Sequence, residues 1–386
     1  MSQSFPSNSP SADRLSRMPR WLMLGLRLGV CLLVMAWILH CIFMFEAIRI
    51  TPESTWATLP RGDRWNVAWT QGPRQLVATL AAVQPSAMAI SLLAMGGILL
   101  AGVARWRLVL QVQGLRLSWR RAIEITFVAH FFNSFLLGST GGDVMRAIYA
   151  ARETRHQKTE AVIAVFMDRI MGLWSLLLFG CVFMIPNFAL IRSHELLKVC
   201  CVTVIAMTVA ATLILLLALR GGLSSRWPWL RVWLTRLPKA AVIERSLRAC
   251  RRFGKEPGVL LKVLAISMGL NVLCVLQVQV IADGLTGFSL DRKLTALLIP
   301  VITALIALPI TPNGIGMREY LFVKILYGGP LTMDPNSAIS LSLLAYGGSL
   351  VWSLVGGVVY LTVRRKQRLD DLDKEWTEAS GVGDLR

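Results

Sequence analysis

Two short stretches hold most of the residues that could do chemistry in this chain. The first, Leu137-Gly138-Ser139-Thr140-Gly141-Gly142-Asp143-Val144-Met145-Arg146, combines glycines, hydroxyls, a carboxylate and a guanidinium inside an otherwise apolar region. The second, Pro309-Ile310-Thr311-Pro312-Asn313-Gly314-Ile315-Gly316-Met317-Arg318-Glu319, repeats the order of helix breaker, glycines, Met-Arg and fresh helical pattern. A half-helix that starts inside a membrane offers unpaired N–H groups and a partial positive charge to an anion. An arginine beside it presents a planar fork suited to phosphate. In the first tip the candidate head-group ligands are Asn133, Ser139, Thr140, Gly141, Gly142 and Arg146. In the second they are Thr311, Asn313, Gly314, Gly316 and Arg318. Asp143, Asp168, Arg169 and Glu319 complete the set, the carboxylates tethering the arginines between ligands or coupling a proton. A second reading stays open at this point, in which Arg–carboxylate pairs simply lock helices together.

The elements that carry these stretches are membrane helices. Hydrophobic residues make up 55% of the 386 positions, mean hydropathy is +0.58, and several apolar runs reach about 20 residues, which predicts an all-α polytopic membrane protein. Full spans are expected over Trp21–Phe45, Ser86–Ala104, Ala161–Ile185, Leu196–Leu219, Val259–Ala282 and Ala338–Val363. Two further apolar limbs are too short to cross and stop at the Gly-rich tips. They predict re-entrant helical hairpins near 122–151 and 293–328. Asp168 and Arg169 are adjacent, so on a helix they point about 100° apart and each needs a partner elsewhere. Arg146 and Asp143 are the nearest candidates.

Charge fixes the expected orientation. The net charge of +19 could suggest nucleic acid, but Lys and Arg concentrate in loops between spans, the pattern of topology signals. Segments 1–20, 105–121, 152–160, 220–258 and 364–386 hold 27 Lys and Arg, so they are placed in the cytoplasm with both termini. That count requires both hairpins to return to the side they came from, one dipping in from each face, as an inverted pair around a midplane site. The expected organisation is a disordered cytoplasmic segment over 1–20, one transmembrane domain over 21–363 and a charged cytoplasmic tail over 364–386. The loop 46–84, with Trp56, Trp65 and Trp69, suits an interfacial cover on the far side.

Other chemistries find little support. Seven cysteines include no C-x-x-C pair, and four histidines are too scattered for a metal site. His130, just before the first tip, reads as a packed histidine, with proton handling as the alternative. No H-E-x-x-H, Walker loop or nucleotide-binding βαβ unit occurs, so no catalytic residue, metal or cofactor is expected.

The run from His130 to Arg169, with its G-G-D-x-x-R and later D-R, resembles the lysylphosphatidylglycerol synthase transmembrane family, also called flippase-like. P-x-T-P-N-G-I-G-x-R-E at Pro309 to Glu319 is similar to the second hallmark of that family. The resemblance implies an integral inner-membrane fold and movement of phospholipid between leaflets. The soluble aminoacyl-transferase domain of the best-understood members has no counterpart in the short stretch after Val363. The expected function is therefore translocation of a phospholipid or lipid-linked precursor. The alternatives are a membrane transferase acting on a polyprenyl-phosphate or phospholipid, and a lipid-binding accessory subunit of an envelope enzyme. The expected partner is a membrane lipid with an anionic or zwitterionic head group and not nucleic acid. A homo-oligomer or a separate lipid-synthesising enzyme are the protein partners considered.

Overall fold

The computed structural model describes residues 40, 43–44, 47–48, 50–135, 141–153, 158–220, 251–285, 290–307, 317–327 and 335–379. The described residues are almost wholly helical. Most of the expected first span, the segment 1–20, and the tip residues Ser139, Thr140, Thr311, Asn313, Gly314 and Gly316 lie outside them. In chain order the helices are α1 Glu53–Thr58, α2 Arg61–Ala82, α3 Pro85–Val112, α4 Trp119–Phe135, α5 Gly141–Glu153 and α6 Lys158–Met184. There follow α7 Phe188–Ser193, α8 Glu195–Arg220, α9 Pro257–Gly284, α10 Arg292–Ile306, α11 Met317–Tyr327 and α12 Pro335–Ala379. Five of them (α3, α6, α8, α9 and α12) are long and apolar enough to cross a membrane. Each corresponds to one of the spans expected from sequence. Each region expected to form a hairpin contains two helices, α4 and α5 in the first and α10 and α11 in the second, and the residues that join them, 136–140 and 308–316, lie outside the described ones.

Contacts divide the chain into two units, Met1–Val77 and Ala78–Arg386. In the first, the Trp-rich loop is largely helical. The Nδ1 atom of His40 accepts the Trp69 indole N–H at 3.0 Å, and the His40 ring lies 4.1 Å from that of Trp65. Trp65 and Trp69 remain exposed, which suits residues that sit at a membrane–water interface.

The second unit holds the tips. Helix α3 begins with Pro85 at its first turn, where a missing N–H costs nothing. It ends where Gly114 takes φ 77° and Leu115 donates back to the Leu110 carbonyl at 3.0 Å, a left-handed stop that glycine tolerates best. It therefore runs eight residues beyond the expected end at Ala104, and Arg105 lies inside the bundle instead of in a cytoplasmic loop. The physical reason is that Trp106, Val109 and Leu110 continue the apolar pattern and are fully buried, while the Arg105 charge is met by a carboxylate. Helices α3 and α9 run antiparallel: Gln84 N–H meets the Gly284 carbonyl at one end, and Arg105 meets Ser267 at the other.

Two apolar cores fill the unit. One gathers Trp106, Leu110 and Leu115 with Ile125, Ala150, Met167 and Val263, and so surrounds α4 and α5. The other gathers Leu177, Ile281, Leu297, Leu298, Ile302, Leu326 and Leu341 around α10 and α11. In lipid the gain from such cores is close packing, since an exposed side chain would meet another apolar medium.

Candidate functional site: a buried arginine–aspartate cluster

Asp168 lies three turns into α6 and is 1% exposed. A charged carboxylate there is costly unless cations replace the lost water. Two do so. Arg105 from α3 binds both oxygens, Nε to Oδ1 at 2.8 Å and Nη2 to Oδ2 at 3.1 Å. Arg146 from α5 donates Nη1 to Oδ2 at 3.2 Å. The parallel bonds from Arg105 form the stronger fork, and Arg146 makes a single, longer contact.

The remaining donors of these arginines reach neutral groups. Arg105 Nη1 lies 3.4 Å from Ser267 Oγ on α9, and Arg146 Nη2 lies 3.4 Å from Thr126 Oγ1 on α4. The Arg146 guanidinium also sits 4.9 Å over the Trp106 ring, a cation–π contact. Gly172, one turn beyond Asp168, makes room for this: a Cβ there would lie 2.8 Å from Arg105 Nη1.

The adjacent pair is separate and wetter. Arg169 Nε meets Asp143 at 2.7 and 2.9 Å, with the Arg169 side chain 49% exposed. The pairing therefore crosses as the 100° turn between Asp168 and Arg169 requires, Asp168 to Arg146 and Arg169 to Asp143. Asp143 sits in the first turn of α5, where its charge also suits the helix dipole. Together the site holds three guanidinium groups against two carboxylates, leaving one positive charge.

Among the other predicted residues, Asn133 caps α5 by accepting the Gly142 N–H at 2.9 Å, and Gly141 opens that helix. Arg318 is not in the cluster. Its Nε donates to Ser342 Oγ at 2.9 Å and its guanidinium lies 4.3 Å over the Tyr346 ring, both on α12. Glu319 follows it in the first turn of α11, which begins at Met317. Helix α12 also meets the first hairpin, where His130 Nε2 approaches the Ser349 carbonyl at 3.1 Å. Ser342 and Ser349 are seven residues apart, about 10 Å along the helix, so α12 touches both α11 and α4 within two turns.

Sequence reasoning missed Arg105, Trp106, Thr126, Ser267, Ser342 and Tyr346. A signal did exist for Arg105: it continues the apolar period of the second span, and a buried Asp168 with a single cation would be poorly compensated. Nothing local marks Thr126 or Ser267, since their role depends on which helices pack together.

The description of the lysylphosphatidylglycerol synthase TM region matches residues 65–357, and the chain belongs to that family. No curated protein matches it.

Proposed function

From membership of this family and the charge of the buried cluster, we propose that the protein moves a phospholipid or lipid-linked precursor between leaflets. The observation that carries this reading is the sharing of Asp168 by Arg105 and Arg146. A charge placed among apolar helices is costly, and such residues commonly mark a pathway. Here the excess guanidinium gives a phosphate a place to bind without recruiting a further cation.

The exchange follows from the distances. An arriving phosphate competes with Asp168 for Arg146, whose single 3.2 Å bond is the weaker of the two. Asp168 keeps its fork to Arg105, so the carboxylate is never left uncompensated. Ser139, Thr140 and the N–H groups around Gly141 lie next in sequence and would supply donors at the head group. Arg318, with Thr311, Asn313, Gly314, Gly316 and Glu319 nearby in sequence, forms the receiving site on the other hairpin. In this reading the α4–α5 hairpin enters from the cytoplasm and α10–α11 from outside the inner membrane. Both termini are cytoplasmic, and Asp143 releases Arg169 as α5 shifts.

The test is head-group transfer in proteoliposomes holding fluorescent anionic, zwitterionic or aminoacylated lipids, with quencher added outside. The wild type is expected to move at least one class, while Arg146→Ala and Arg318→Ala fold and lose transfer. Folded wild-type protein that moves none of these lipids would overturn the proposal, and unfolding of both variants would favour a role in locking helices together.

A further inference from the structure

Beyond the ion pairs, the unit buries N–H donors that find no acceptor among the described residues, among them Trp106 Nε1, Asn271 Nδ2 and Gln277 Nε2. Trp106 is fully buried, and Asn271 and Gln277 are 6% and 5% exposed. In lipid such groups cannot turn to solvent, so each is expensive unless something with lone pairs meets it. The same helix shows that a buried amide here can be satisfied. Two residues past Gln277, Gln279 accepts from Thr295 Oγ1 at 2.6 Å and donates to the Leu290 carbonyl at 3.0 Å. Gln279 is thus a structural amide, whereas Asn271 and Gln277 are not accounted for by helix packing.

Their positions give them a use. Trp106 forms part of the arginine cluster, its ring under Arg146. Ser267, which contacts Arg105, is one turn before Asn271 on α9, about 6 Å along the axis. Gln277 lies about 9 Å further in the same direction. Its Nε2 stands 3.5 Å from where a Cβ on Gly348 of α12 would be. Gly348 precedes Ser349, the residue that His130 meets, and Tyr346, which lies under Arg318, is two positions away. Along the α9 axis the two amides therefore step from the first arginine cluster toward the part of α12 that holds the second arginine, with Gln277 turned about 120° from Asn271. An indole N–H can only donate, so at that point the ladder selects an acceptor-rich group over a cation.

We propose that Trp106, Asn271 and Gln277 form a donor-lined step between the two arginine sites, taking up phosphate and ester oxygens of a lipid head group in transit. This rests on the translocase reading above and adds a specific route to it.

The experiment compares wild type, Asn271→Leu and Gln277→Leu in the same proteoliposome assay, with thermal unfolding followed in parallel. Leucine keeps the branching of asparagine, is one heavy atom shorter than glutamine, and removes the unmet donor at either position. A merely structural amide would leave transfer unchanged. Donors in the path predict transfer slowed about tenfold or more with an unfolding midpoint unchanged or raised. Transfer at the wild-type rate in both variants overturns this inference alone. A folded wild type that transfers no lipid overturns the translocase reading and this step with it. Should the leucine variants not fold, Asn271→Ser and Gln277→Ser are measured, and wild-type transfer in both counts equally against the proposal.

Discussion

The two helix pairs, α4 with α5 and α10 with α11, have similar sequence grammar but are held by different forces. In α10, eleven of 15 residues are buried, including Leu297, Leu298 and Ile302, so that limb is part of an apolar core. In α5 only Gly142, Ala150 and Ala151 are buried, and Val144 and Ile148 are exposed. Helix α5 is held largely by polar contacts: Arg146 on Asp168, Asp143 on Arg169, Arg121 on Glu153 and the Asn133 cap on Gly142. The difference matters because a ligand can compete for an ion pair and cannot compete for an apolar contact. A phosphate that takes over Arg146 loosens one of the polar attachments of α5 and leaves α10 untouched. Under the translocase reading, the first hairpin is the limb that responds to substrate, and the second supplies a fixed wall.

The largest expected effect breaks the charged side of this comparison. Asp168→Asn leaves Arg105 and Arg146 buried together, facing a neutral amide. Removing one partner from such a cluster costs about 3–5 kcal/mol. The thermal midpoint in detergent should fall well below that of wild type and partly recover when phosphate is added, because an anion can replace the lost charge. A drop equivalent to less than about 1 kcal/mol would show that Asp168 does not hold the arginines as a unit.

The apolar side should break differently. Leu297→Ala opens a cavity in the α10 core, where Leu297 is fully buried. With lipid in place of water as the outer medium, the loss is mainly one of packing, roughly 2 kcal/mol. Added phosphate should not restore the midpoint. If phosphate rescues both variants equally, the contrast between the hairpins is wrong.

Much of this fold is legible in the sequence because the length of an apolar run reports directly on lipid thickness. Ala161–Ile185 and Val259–Ala282 are recognisable for that reason. The pairing of Asp168 and Arg169 with the G-G-D-x-x-R residues is also legible, since adjacent residues on a helix cannot share one partner. What escapes is lateral: Arg105 looks like the first residue of a basic loop until α6 is known to bring Asp168 and Gly172 against it. Ser342 and Tyr346 read as ordinary span residues until Arg318 is placed on α12. Hydrophobic periodicity reports which face is apolar and carries no information about which helix will cover it.

The smallest effect sharpens the comparison within the charged cluster itself. Arg169 is half exposed and Asp143 is partly so, whereas Asp168 is enclosed. Screening should reduce the Asp143–Arg169 pair to under about 1 kcal/mol, far less than the enclosed pairs. Arg169→Asp alone places two carboxylates together beside the first turn of α5, and Asp143→Arg alone places two guanidinium groups there. The double exchange restores opposite charges in reversed order. Stability should therefore dip slightly in each single variant and return in the double variant, with the dip shrinking as salt is raised. Transfer separates the two roles this pair could have. If it only tethers α5, the exchanged pair should transfer as wild type does. If Arg169 itself meets the head group, the exchanged pair should be stable and slow, because its cation now sits on α5 and its carboxylate on α6. Either result assigns the wet pair, while Asp168 continues to anchor the dry one.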